Sequence, residues 1–170
     1  MIWRRTLLLS LLIVTGLVIE TSVLGEATLG GTKPQLLLLM TVALAMGEGP
    51  ALGAGFGFTA GLATDLLTGL PAGLTSITYT IVGYAVGAIR AQVQTPTAWL
   101  PVAMEFTATF AGVLLYGGIA LILGQEAVGG IELVLHAVFA ACYSALLTPF
   151  LYPLVRGLGS RLRPASVIPR

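Results

Sequence analysis

The chain has 170 residues, of which 56% are apolar and 9% charged, with a mean hydropathy of +0.98 and a formal net charge of +1. Soluble domains carry about 25% charge, so this composition cannot cover a globule with polar surface and points to an integral membrane protein. Near-neutral charge argues against nucleic-acid binding. With a single cysteine, Cys142, and a single histidine, His136, the sequence offers no intrachain disulfide and no Cys- or His-rich metal site.

Charged residues punctuate the apolar runs, and six segments follow in chain order. Arg4 and Arg5 precede Thr6–Val23, an apolar run broken by Glu20. No Ala-x-Ala-like site follows it, so it reads as a first span rather than a cleaved signal. Next come Pro34–Gly47, Pro50–Leu70, Ala72–Ile89, Thr97–Leu123 and Ile131–Val155. Six spans of about 20 residues use about 120 residues, which leaves loops and tails but no extramembrane domain. The second segment is short, about 21 Å at 1.5 Å per residue. It is either a re-entrant hairpin or a helix that starts near Gly30 with Lys33 snorkelling outward. Charge bias favours the second reading. With six spans and both ends cytoplasmic, Arg4, Arg5, Arg90, Arg156, Arg161, Arg163 and Arg170 lie inside and only Lys33 outside. The predicted fold is therefore an all-α compact bundle of six transmembrane helices over residues 1–156, with a short basic cytoplasmic tail, 157–170, against anionic lipid.

The third segment holds the densest pattern. Gly49, Gly53, Gly57 and Gly61 recur every four residues, and the register continues through Asp65, Gly69 and Gly73. On a helix this spacing makes one face without side chains. Small residues replace the hydrophobic effect as the basis of helix association in lipid, so the face predicts an intimate helix contact. The partner is either another span of the chain, with Gly83 and Gly87 of the fourth as its match, or another protein. Asp65 needs a partner at that depth. It is read as a helix-end carboxylate bonded to hydroxyls such as Thr64, Thr68 or Thr75, or as a polar or proton site. Glu20, Asp65 and His136 all fall in the outer half and are candidates for one cluster, while Glu105 lies in the inner half within reach of Arg90. The polar run Thr75, Ser76, Thr78, Tyr79, Thr80 offers further partners for Asp65. No nucleophile elbow, phosphate loop or paired ligand set occurs, so neither an enzyme nor a cofactor is expected.

The run Pro34-Gln35-Leu36-Leu37-Leu38-Leu39, with Gly53, Gly57-Phe58, Gly61-Leu62, Asp65, Gly69-Leu70-Pro71 and Gly73, resembles the rod shape-determining protein MreD family. That family shows Pro-Asp-Leu followed by leucines, then Gly-x3-Gly-Phe-x2-Gly-Leu-x2-Asp-x3-Gly. Gln35 departs from it, and a partner contact served by that Asp would be neutral here or moved to Glu26 or Asp65. The resemblance implies a non-enzymatic scaffold of the bacterial elongation complex (the elongasome) in the cytoplasmic membrane, acting in peptidoglycan synthesis and cell shape. It implies association with MreC, and through it with MreB, RodA and the transpeptidase partner of RodA. A partner-facing ladder of Gly49, Gly53, Gly57, Phe58, Gly61, Asp65 and Gly69 follows as its expected seat. A homo-oligomer is left open. The alternative is a vitamin-transport S-component, whose architecture is similar. Its docking face usually carries Ala-x3-Ala on span one, and Thr6–Leu24 contains no alanine.

Overall fold

A computed structural model describes residues 2–22, 35–69, 73–93, 99–124 and 130–160. It contains α1 (Ile2–Ser22), α2 (Leu36–Glu48), α3 (Pro50–Thr68), α4 (Leu74–Gln92), α5 (Leu100–Ile122) and α6 (Ile131–Ser160). The six helices follow the order of the six apolar segments. Their ends are set by local chemistry. Pro50 and Pro101 occupy first turns, where a missing N–H costs nothing. Gly69 ends α3 in the left-handed region at φ +66, a conformation that glycine adopts without steric penalty. α1 begins before the predicted span and includes Arg4 and Arg5, and α6 runs to Ser160, four residues into the segment read as tail. Glu26, Lys33, Arg161, Arg163 and Arg170 lie outside the described residues.

Length and composition alone qualify α5 and the Ile131–Val155 part of α6 to cross a membrane. Thr6–Ser22 and Leu36–Glu48 are shorter apolar helices. α2 is the hub. Every residue from Leu36 to Met46 is buried, and α2 packs against all five other helices. A helix that is apolar all round belongs in an interior, which accounts for its length: a helix wrapped by others presents little surface to the surroundings. α2 is one unbroken helix over Leu36–Glu48, with no turn inside it, and the proposed extension from Gly30 falls outside the described residues.

Consecutive helices run antiparallel wherever their contacts fix direction. Glu20 near the end of α1 meets Leu37 at the start of α2, and Ala45 and Thr41 of α2 face Gly53 and Gly57 of α3. Gly117 of α5 faces Leu133 of α6. Outward, the other five helices present large apolar side chains, among them Leu11, Phe58, Leu66, Ile81, Ile122 and Phe150, each at least 47% exposed.

Two substitutions separate interior from perimeter. Leu38→Ala, at a fully buried hub position, should cost about 2–5 kcal/mol of stability. Leu66→Ala, 70% exposed, should stay within about 0.5 kcal/mol. Thermal unfolding of the purified protein in detergent reads both.

Candidate functional site: the glycine interface and the buried carboxylates

The glycine face of α3 is occupied by the chain itself. A Cβ placed on Gly53 would lie 2.5 Å from the Ala45 Cβ and 2.6 Å from the Gly83 carbonyl oxygen. One on Gly57 would meet the Tyr79 carbonyl, and one on Gly61 would lie 2.5 Å from the Ser76 Cα. From the other side, Gly83 approaches the Gly53 carbonyl, and a Cβ on Gly87 would lie 2.5 Å from the Pro50 Cα. α3 and α4 therefore touch backbone to backbone along three turns, with α2 closing the third side through Ala45 and Thr41. The seat expected for an outside helix is filled by α4, and the physical reason is the matching pair Gly83 and Gly87. Phe58 points away from this contact and is 50% exposed.

The remaining glycines of the register answer a different demand. Gly49 is the single residue between α2 and α3, with φ +95, and Gly73 is the N-cap of α4 at φ +110. A Cβ on Gly49, Gly69 or Gly73 would meet nothing within 4 Å. One period of four thus combines packing glycines at 53, 57 and 61 with turn glycines at 49, 69 and 73.

Asp65 sits at the end of the packed stretch, 1% exposed. Its Oδ2 accepts from the backbone N–H of Gly73 at 2.8 Å and of Ser76 at 3.3 Å, and its Oδ1 accepts from Thr75 N–H at 3.3 Å. Gly73 has no side chain with which to cap its own helix, so a carboxylate from α3 does so, receiving the amides that an N-cap side chain ordinarily serves. Negative charge at a helix N-terminus is favourable in itself. Ser76 completes the joint by donating its hydroxyl to the Phe58 carbonyl at 2.8 Å. Of the three threonines expected to bind Asp65 through hydroxyls, Thr64 donates to the Ala60 carbonyl and Thr68 to the Thr64 carbonyl, while Thr75 binds it through its backbone N–H. Main-chain amides replaced hydroxyls because α4 begins beside the carboxylate.

Glu20 repeats the arrangement on another pair of helices. Its Oε2 accepts from Leu37 N–H, in the first turn of α2, at 3.2 Å. Two carboxylates on α1 and α3 therefore serve the starts of α2 and α4. The predicted cluster of Glu20, Asp65 and His136 does not form. His136 Nδ1 lies 2.8 Å from the Glu132 carbonyl of its own helix. Glu105 is 1% exposed and accepts from the Thr109 hydroxyl at 3.1 Å, whereas Arg90 donates to the Val93 carbonyl at the end of α4. The expected Glu105–Arg90 contact is absent, each group being satisfied on its own element. Among the described residues no three His, Cys, Asp or Glu side chains converge as metal ligands.

Asp65→Ala should leave the Gly73, Thr75 and Ser76 amides unpaired in the interior, at about 1–3 kcal/mol. Asp65→Asn keeps one acceptor oxygen and should recover part of that loss. Gly57→Leu should be worse than either, because its side chain would meet the Tyr79 backbone rather than a movable group. The check is the order of melting temperatures in detergent, which should fall from the wild type through Asp65→Asn and Asp65→Ala to Gly57→Leu.

Comparison with curated proteins and with solved structures returns no match. A family model, described as rod shape-determining protein MreD, matches residues 2–161. That stretch takes in the glycine interface, both capping carboxylates and all six helices, so the chain belongs to the MreD family of rod shape-determining proteins.

Proposed function

We propose that this chain is a six-span, non-enzymatic scaffold of the bacterial cytoplasmic membrane, with both ends cytoplasmic, that binds MreC and helps position lateral peptidoglycan synthesis. The family implies a role in rod shape determination and is structural rather than enzymatic. The observation that carries the membrane reading is the distribution of exposed apolar side chains. They cover five helices on their outer faces and spare only the central α2. In water such a surface would drive association. In lipid it is the ordinary perimeter of a bundle. Arginine at positions 4, 5, 90 and 156 then lies on the cytoplasmic side, in accord with the positive-inside rule.

The arrangement of the carboxylates supports a passive role. Asp65 and Glu20 each hold a helix start through backbone amides. Because α4 fills the glycine face, MreC engages the outward apolar surface. Contact with MreB, RodA and its transpeptidase then runs through MreC.

Reporter fusions at both termini should show cytoplasmic activity only, and affinity purification of this chain co-expressed with an MreC-like protein should recover both. A periplasmic terminus would overturn the topology. Failure to recover MreC with the well-folded wild type would overturn the partner. Saturable thermal stabilisation by a vitamin would favour the transport alternative instead.

A further inference from the structure

α6 is the longest helix, with 30 residues, and it carries Pro149 and Pro153 inside it. A proline has no N–H to donate, so the carbonyls of Ala145 and Pro149 lose their usual bonds from four residues on. Each ring also presses on the carbonyl that it leaves unpaired. Two such defects one turn apart fall on one face of the helix and bend it away from that face. Both prolines are exposed, whereas Val155, on the opposite face, is 0% exposed. The bend is therefore directed toward the bundle.

Register measures how far the helix turns. α5 and α6 run antiparallel, with Gly117 against Leu133. Met104 lies 13 residues before Gly117, which sets it level with position 146 of α6, nine residues short of Val155. A straight α6 would carry Val155 about 13 Å past Met104, and so past the start of α5 at Leu100. Instead Val155 belongs to the same buried cluster as Met104 and as Met46 near the end of α2, and Leu151 and Tyr152 pack against that cluster. A helix that turns across this end of the bundle brings all of them together.

We propose that the end of α6, from Pro149 to Ser160, is a hinged strap across the end of the bundle at which α2 passes into α3. The proline pair is its hinge, and Leu151, Tyr152 and Val155 are its catch. The catch is one-sided, because Phe150 and Leu154 on the strap are 77% and 61% exposed. A segment that has lost two helical bonds and keeps a few apolar contacts opens more readily than the body of its helix. Opening uncovers the last turn of α2, the hub, so the packing of the whole bundle responds to events at the end of α6.

Crosslinking and amide hydrogen exchange of the full chain in detergent test the strap. In a Cys142→Ser background, Val155→Cys should be joined to Met46→Cys or to Met104→Cys by a methanethiosulfonate crosslinker too short to span the separation that a straight helix imposes. Amides of 154–160 should exchange roughly 100-fold faster than those of 134–145, and crosslinking should remove most of that difference. Pro149→Ala with Pro153→Ala restores both backbone bonds. It should lower the crosslinking yield and slow exchange at 154–160 about tenfold. A folded wild type in which neither cysteine pair can be joined would overturn the bend. Equal exchange along α6 would overturn the opening. Fast exchange that the double alanine variant leaves unchanged would be fraying of a helix end and would overturn the hinge.

Discussion

Backbone contact between α3 and α4 is the constraint from which the rest of the bundle follows. Glycine at 53, 57 and 61 on one helix and at 83 and 87 on the other removes every side chain that would hold the two apart. Only at that separation does Asp65 on α3 come within hydrogen-bonding distance of the first amides of α4. The same approach lets Ser76 reach the Phe58 carbonyl, and it leaves Ala45 and Thr41 of α2 a shallow surface to lie on. Packing and polar satisfaction are here one event: widening the helix pair by a single methyl group would strand the amides as well as open a void.

The buried carboxylates then take on a common meaning. An ionisable group inside an apolar bundle invites a reading as a relay or a substrate contact. Asp65 and Glu20 instead meet the requirement that backbone donors at helix starts find acceptors where water is scarce. Asp65 uses both oxygens on three amides, and Glu20 bridges α1 to α2. Each is a tie between helices adjacent in the chain, and this suits a structural part in rod shape determination.

Much of this was legible in the residues. Apolar runs between charges located six helices, and the period of four located the interface and its matching pair on α4. What the pattern could not show was that one register served two purposes, since a glycine needed for close approach and one needed for positive φ look alike in a sequence. Gly53 and Gly69 differ only in what surrounds them. The partners of Asp65 escaped the pattern for a related reason: hydroxyls announce themselves by residue type, whereas a backbone amide is available at every position and becomes special only when a helix starts there. Glu105 and Arg90 were close in imagined depth, yet each found a neighbour on its own element, and helical periodicity carries no information about that choice.

The single residue between α2 and α3 has a bearing on how the molecule is assembled. α2 has 13 residues and none of the outward apolar armour of its neighbours. Thirteen residues rise about 20 Å, less than the roughly 30 Å hydrocarbon thickness. Alone in a bilayer it would pull polar headgroups inward at both ends. Joined through Gly49 to α3 and enclosed by the other helices, it sits as a keystone whose short span is made up by the neighbours around it.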